Sequence, residues 1–457
     1  MINKGWTNMS FGEIISFLTD YQANGSFAAL KENVRTYKEA NYAVLVRLKD
    51  LRENLENSRN FIYTDEHGYN FLKKSFLESD DILVANVGAG VGTTLLMPKF
   101  NQRATLAPNM FKVILCQAIV KKYFLYFSNS LNFWQQLKLV SAGSGQPKIN
   151  KDQYKSIHFP LAPLPEQRAI VSKIEQLFSE LDNGIANLKA AKEKLVIYRQ
   201  AVLKKAFEGE LTKKWRKLND SEMIWNNVEF KELVTSSRNG FTGRPNEDGI
   251  GIPRLGITAV TQSNSILANV NDYKYIEIPK EKEDTYRLKE GDIVVCRQNG
   301  TLDYVGKFAL VKDPIDRLIF SDSLIRIRIN ENELLPRYAV YFFNSFGRKE
   351  IEKKCATTAG NYSINSTSIK SIEIVYPTKE EQKQVIFEIE SRLSVCDNIL
   401  VNIDEGLVKS EALRQSILKQ AFEGKLLKEE ELEVCRKEAD WEPAEELLER
   451  IKTKKKN

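Results

Sequence analysis

Histidine is nearly absent from this chain: His67 and His158 are the only imidazoles in 457 residues. Ser/His/Asp or Cys/His catalysis and histidine-rich metal sites therefore have little to rest on. The five cysteines (Cys116, Cys296, Cys355, Cys396, Cys435) are scattered and form no CxxC pair. An odd number without close spacing points to reduced thiols in a cytosol, not to a disulfide or zinc framework. There is no apolar run of about eighteen residues and no charged-then-apolar signal pattern at the N-terminus. The expectation is a soluble, cytoplasmic protein without membrane contact.

Nucleotide and cofactor motifs are missing too. No GxxxxGK[ST] loop occurs, which argues against an ATPase motor. A methyltransferase would need a glycine-rich cofactor loop and an Asn/Asp-Pro-Pro-aromatic motif, and neither is present. Gly88-Ala89-Gly90-Val91-Gly92 follows a strand-like run, but a dinucleotide site needs a helix opening at its last glycine. Here the chain runs on through Thr93–Met97 to Pro98 as a second strand, so the glycines read as a turn. At 28% charged residues, carboxylates near lysines are too common to nominate a nuclease site. The reading is a non-catalytic chain that binds no cofactor or metal of its own.

What the chain does have is itself, twice. Ser141–Thr212 maps onto Ala356–Leu427 at a constant offset of 215, with 24 identities in 72 gapless columns. Glu166-Gln167 recurs as Glu381-Gln382, Arg199-Gln200 as Arg414-Gln415, and Ala206-Phe207-Glu208-Gly209 as Ala421-Phe422-Glu423-Gly424. A repeat of this size fixes architecture before any single residue does. Weaker anchors drift: Trp6, Asn8, Phe11 and Glu13 match Trp225, Asn227, Phe230 and Glu232 at 219, and Asp81-Ile82 matches Asp292-Ile293 at 211. Drifting offsets mean loops of different length on one scaffold, which is what two different specificities require.

Each copy begins as mixed α/β. Strand-like runs are Tyr42–Leu48, Asp81–Val87 and Thr94–Met97 in the first copy, Asp292–Cys296 and Leu324–Ile329 in the second. Helical stretches are expected at Phe111–Phe127 and Pro336–Phe346. Each copy then passes a proline boundary, Pro160–Pro165 or Pro377, into a long helical pattern ending at Gly209 or Gly424. From Glu166 to Phe207 is about 42 residues, roughly 63 Å at ~1.5 Å per residue. Heptads place Ile174, Leu181, Leu188, Leu195 and Val202 on one line, and Ile170, Leu177, Gly184, Ala191 and Tyr198 on another. The second copy has Ile389, Cys396, Ile403, Ser410 and Ile417 opposite Val385, Arg392, Ile399, Gly406 and Leu413, where Arg392 and Ser410 weaken the seam. Gly184, Ala191 and Gly406 permit close backbone approach.

The expected fold is α+β: two similar mixed α/β domains separated by two long helices that pair as an antiparallel coiled coil, in a pseudo-two-fold repeat. The boundaries are 1–162, the helix 163–212, linker and second domain 213–377, the helix 378–427, and a charged tail 428–457. That tail reads as solvated, or as a short partner-docking helix through Leu447, Leu448 and Ile451. Net charge is +6 over 1–162, +5 over 163–219, −1 over 220–377 and −4 over 378–457. The first half leans toward a polyanionic partner, although an ordinary soluble surface explains the totals equally well.

The loop before each boundary keeps its frame and changes its tip. Gly143-Ser144-Gly145-Gln146-Pro147-Lys148-Ile149-Asn150 corresponds to Thr358-Ala359-Gly360-Asn361-Tyr362-Ser363-Ile364-Asn365. Gln and Asn can pair bidentately with adenine, and Lys can reach guanine or phosphate. The candidate DNA-reading residues are therefore Gln146, Lys148, Asn361 and Tyr362. Arg254, Arg297 and Gln298 (with Asn299) join them in the second copy, and Arg47, Lys49 and Arg103 in the first.

As a whole the pattern resembles the DNA-specificity (S) subunit of Type I restriction-modification enzymes. The resemblance is carried by Pro163-Leu164-Pro165-Glu166-Gln167, Ile170–Ile174, Arg199-Gln200 and Ala206 through Leu211, with their second copies, and by Glu442-Pro443-Ala444 with Leu447–Ile451. The second copy departs mildly, with Thr378-Lys379-Glu380 where the first has Pro163-Leu164-Pro165. The resemblance implies two target recognition domains, each reading one half of a split, asymmetric sequence in double-stranded DNA. It implies that the helices set the gap between half-sites and dock two modification (methyltransferase) subunits, to which restriction/translocase subunits add. S-adenosylmethionine, ATP and magnesium would then serve those partners. The competing reading is a coiled-coil protein–protein scaffold without DNA readout.

Overall fold

Strand and helix are decided here by which faces each segment buries. In a computed structural model, the described residues are 5–53, 55, 60–141, 146–246, 248–263, 265–267, 273–358 and 360–456. The chain divides into two compact units, 1–188 with 405–457, and 189–404. Each unit holds one α/β domain and part of each long helix.

In the first unit the strands are β1 (Thr7–Ser10), β2 (Ile15–Asp20), β3 (Ala43–Val46), β4 (Ile62–Thr64), β5 (Phe76–Leu77), β6 (Ile82–Ala85), β7 (Thr94–Leu96), β8 (Ala104–Leu106), β9 (Met110–Leu115) and β10 (His158–Leu161). Among the described residues they form a β2-β9-β6-β7 sheet, a β4-β3-β8-β5 sheet and a β1-β10 ribbon. β3 and β8 run parallel, pairing Val44 with Ala104 and Val46 with Leu106. Phe11 sits fully buried among aromatic rings, with Phe124 at 4.8 Å and Tyr154 at 5.1 Å between ring centroids.

Phe111–Phe127 is not one helix. Met110–Leu115 is the central strand β9, and only Lys121–Phe127 is helical. Residues 110–113 are buried on both faces between β2 and β6, Lys112 through its ion pair with Asp81 at 2.7 Å, so the strand carries no polar–apolar alternation to mark it.

The second unit has β11 (Asn226–Glu229), β12 (Val234–Asn239), β13 (Ile252–Leu255), β14 (Ile266–Leu267), β15 (Tyr273–Ile276), β16 (Ile293–Cys296), β17 (Gln298–Asn299), β18 (Phe308–Val311), β19 (Ile319–Phe320), β20 (Leu324–Ile329), β21 (Ala356–Thr358), β22 (Asn361–Ser363) and β23 (Glu373–Tyr376). Its sheets, among the described residues, are β12-β20-β16-β18-β14, β15-β13-β19, β17-β22-β21 and β11-β23. β13 and β19 are parallel, as β3 and β8 are. The helix Pro336–Asn344 stands where Lys121–Phe127 stands in the first unit.

Each long helix spans 44 residues, Leu164–Phe207 and Lys379–Phe422. Both end in the same cap: Gly209 (φ +75°) and Gly424 (φ +71°) turn left-handed, Glu210 N donates to Lys205 O at 3.0 Å and Lys425 N to Gln420 O at 2.8 Å. The two helices pair antiparallel. In the second unit Lys192 meets Asp404 at 2.6 Å and Arg199 meets Asp397 at 2.5 Å, so seven residues up one helix is seven down the other. In the first unit Asp182 pairs with Arg414, the Arg199–Asp397 pair with its partners exchanged between the helices.

Along the seam, Ile174, Val202, Ile389, Cys396, Ile403 and Ile417 are buried, while Leu181, Leu188 and Leu195 are half-buried. The second heptad line is more open: Tyr198, Ile399 and Leu413 are exposed, because a lone helix pair encloses little more than one stripe. A Cβ on Gly184 would meet nothing within 4 Å, so no close approach is made there, whereas a Cβ on Gly406 would lie 3.2 Å from Leu188 Cδ1.

The segment after residue 427 is not a solvated tail. Helices Glu429–Arg436 and Ala444–Lys456 pack into the first unit, burying Leu432, Cys435, Ala444, Leu447 and Ile451. Ala444 N donates to Gly5 O at 3.0 Å, and Arg168 grips Asp440 and Glu438.

Candidate nucleic-acid interface

Parallel strands end together, and their carboxyl ends leave a rim. In the first unit β3 and β8 end at Val46 and Leu106, and β6 ends nearby at Ala85. Two adjoining depressions share Val87, Pro108 and Asn109 there. One holds Thr36, Arg47 and Lys49, the other Gln22, Lys31 and Asn86. The boundary loop docks on this rim: Gly88 N donates to Pro147 O (2.8 Å), Ile149 N to Asn86 O (2.9 Å), and Lys148 bridges to Val87. Gln146 and Lys148 are exposed beside the depressions. Gly143, Ser144 and Gly145 lie outside the described residues. The Gly88–Gly92 segment is a turn, with Gly88 at φ +95° and Gly92 at φ +85°.

The same hydrogen bond recurs in the second unit, where Ile364 N donates to Arg297 O at 2.9 Å. There the loop becomes a strand: β17 pairs with β22, setting Gln298 against Ser363 and Asn299 against Tyr362. Gln298 Nε2 donates to Ser323 Oγ at 3.3 Å across the rim. Gln298 and Asn361 are exposed and Tyr362 is half-buried. Ala359 lies outside the described residues.

The candidate arginines stand elsewhere, or are engaged. Arg254 is 6% exposed, donating to Gly243 O (3.0 Å) and to Asp322 Oδ1 (3.2 Å), and burial depresses its pKa. Arg297 donates to Asp322 O at 3.0 Å. Arg47 forks onto buried Asp50 at 2.9 and 2.7 Å, which raises its pKa, and donates to Asn60 O at 2.6 Å. Arg103 precedes β8, at the opposite end of the strand pair from Arg47, and lies over the Tyr42 ring at 4.5 Å. Lys49 remains exposed, 3.6 Å from Glu53. The structure thus brings together Gln146, Lys148 and Lys49 on one rim, and Gln298, Asn361 and Tyr362 on the other.

A second construction lies where each domain meets its long helix, and the repeated Glu-Gln builds it. Glu166 is buried and accepts from two indoles, Trp6 Nε1 (2.7 Å) and Trp441 Nε1 (3.3 Å). Glu381, equally buried, accepts from Thr212 Oγ1 (2.6 Å) and pairs with Arg216. The last phenylalanine of each long helix seats on a helix of an α/β domain. Phe422 lies 5.1 Å from Tyr123 and 5.3 Å from Phe127, and Phe207 lies 5.3 Å from Tyr338 and 5.4 Å from Phe342. The sequence held a signal for this joint: Tyr123, Tyr126, Phe127, Asn129 and Ser130 recur at the same 215 offset as Tyr338, Tyr341, Phe342, Asn344 and Ser345.

These features define a class: two copies of an α+β domain mounted on a shared antiparallel helix pair, each presenting a polar rim with its own tip residues. The chain belongs to the Type I restriction modification DNA specificity domain family, whose model matches residues 3–190 and again 224–407. It is 27% identical over 431 residues to the Type I restriction enzyme EcoKI specificity subunit of Escherichia coli K12, covering 93% of this chain and 91% of that protein. It is likewise 27% identical over 438 residues to the StySPI specificity subunit of Salmonella potsdam, covering 93% and 91%. The HsdS subunit from Thermoanaerobacter tengcongensis has a similar fold, at 16% identity and a TM-score of 0.56 over 93% of this chain and 98% of that one. So has a chain of a type I R-M system, at 15% identity and a TM-score of 0.66 over 93% and 100%. Among the described residues no helix is long and apolar enough to cross a membrane.

Proposed function

We propose that this chain is the DNA-specificity subunit of a Type I restriction-modification complex, each recognition domain reading one half of a bipartite, asymmetric target. The observation that carries the reading is the paired rim. Ile149 N–Asn86 O and Ile364 N–Arg297 O dock the boundary loop at the same strand end in both copies, while Gln146 and Lys148 are replaced by Asn361 and Ser363 at the tips. A shared frame with unlike tips suits two different half-sites. Base edges would give discrimination, and phosphates would give affinity that falls with salt.

The long helices act in this reading as spacer and as the docking surface for two modification subunits, with restriction/translocase subunits joining them. S-adenosylmethionine, ATP and magnesium belong to those partners, and the recognition chain contributes binding and not bond-making. The cytoplasm, where the DNA is, is its place of work.

The test is a gel shift of the chain assembled with its methyltransferase partner, on duplexes with and without the target, across a salt series. Sequence-dependent retention that weakens with salt is expected. Equal retention of every duplex at all salt concentrations would favour the protein–protein scaffold.

A further inference from the structure

Gln167 and Gln382 are both 0% exposed. A buried primary amide is unfavourable unless its oxygen and its N–H groups find partners. Both glutamines find them, in the same way. Gln167 Oε1 accepts from Val120 N at 2.9 Å, and its Nε2 donates to Ala162 O at 2.8 Å and Ala118 O at 3.2 Å. Gln382 Oε1 accepts from Leu335 N at 2.8 Å, and its Nε2 donates to Pro377 O at 2.9 Å and Glu333 O at 2.7 Å.

One side chain in the first turn of the long helix thereby ties three segments. They are the residue two before the long helix, the loop leading into the shorter domain helix, and the N-cap of that shorter helix. Val120 and Leu335 are apolar and cap nothing with their own side chains. The tyrosine one turn on closes the same joint, as Tyr123 Oη donates to Pro160 O (3.0 Å) and Tyr338 Oη to Val375 O (2.9 Å). The neighbouring glutamates are not equivalent, since Glu166 takes two indoles and Glu381 a hydroxyl and a guanidinium. Among the hydrogen bonds, what the two joints share is those of the glutamine and the tyrosine.

We infer that Gln167 and Gln382 are positioning residues that fix the angle at which each recognition domain leaves its long helix, and so hold the spacing between half-sites to one value. This rests on the DNA-specificity reading above. The leverage is large. A domain of this size has an arm of roughly 30 Å, so a tilt of about 6° moves its far edge by one base-pair step of ~3.4 Å. Three hydrogen bonds from one rigid amide, placed at the pivot, oppose that tilt.

The experiment uses the chain assembled with its methyltransferase partner. Initial methylation rates are measured on duplexes carrying both half-sites with the native spacer, one base pair fewer and one more. For Gln382→Met, and separately Gln167→Met, the preference for the native spacer should fall about tenfold while the half-site sequences stay unchanged. Val120→Pro and Leu335→Pro provide a second route if the methionine variants fail to assemble. Val120 at φ −70° and Leu335 at φ −75° already suit proline, which deletes the N–H that the glutamine accepts and leaves the glutamine in place. These variants should relax the spacer in the same direction.

An unchanged spacer preference, or rates lowered equally on all three duplexes, would overturn the positioning role and leave the glutamines as fold-stabilising groups only. A wild-type complex without any bipartite preference would instead overturn the DNA-specificity reading itself.

Discussion

At the scale of residues, engagement separates the candidates that hold the rim from those that face outward. Arg254 spends its guanidinium on Gly243 O and Asp322, so Arg254→Ala should cost about 1–3 kcal/mol of stability by leaving Asp322 without that partner. Thermal melting would detect the loss, and the methylated sequence should stay the same. A changed second half-site at unchanged stability would reverse that assignment. Lys148 is exposed on the docked loop, so Lys148→Ala should flatten the dependence of log affinity on log salt by about one unit if it meets a phosphate. Any change of sequence preference should be confined to the first half-site, and a change in the second would count against the rim. None of this was legible beforehand. Composition marks Arg254 and Arg47 as guanine readers, and only the tertiary positions of Asp322 and Asp50 show them to be engaged.

Glu283 gives a pH test of the same kind. Arg317 and Arg287 donate to its carboxylate and hold its pKa down to about 2, below an ordinary 4.5. A depressed carboxyl contributes stability that is fully present above about pH 4.5 and is lost as pH falls toward 2. Glu283→Gln should therefore melt lower than the parent at pH 7, with the gap closing through that window. A gap of constant size from pH 7 to pH 3 would show that the ion pairs contribute nothing.

At the scale of elements, the sequence located the long helices well and misjudged what is apolar on both sides. Gly209 and Gly424 signalled their own caps because positive φ at a helix end is a local demand. β9 reads as part of a helix because its residues 110–113 are buried on both faces and show no alternation. The segment after residue 427 reads as charged because its outward residues are charged, while Leu432, Leu447 and Ile451 supply a narrow apolar stripe that the first recognition domain covers. Leu447 is completely buried, so Leu447→Ala should cost about 2–5 kcal/mol. Denaturant unfolding would measure it, and a loss below about 0.5 kcal/mol would return this segment to the surface.

At the scale of the whole molecule, the repeat carried most of what could be known early. It gave two domains and two helices from identities alone, because joints and helix ends must be built the same way twice. It did not give the rims, where offsets drift and the tips differ, and it did not explain why Glu-Gln recurs. That explanation needed the partners of Gln167 and Gln382, which lie 47 to 49 residues upstream and two residues before each long helix.

The central claim is that two independent readers share one spacer. Its most direct measurement is a genome-wide map of methylated bases in cells co-expressing this chain with its methyltransferase partner, repeated after residues 220–377 are exchanged for those of a relative with a different target. The account predicts a bipartite asymmetric sequence of which one half changes while the other half and the spacer persist. A swap that changed both halves, or neither, would contradict it.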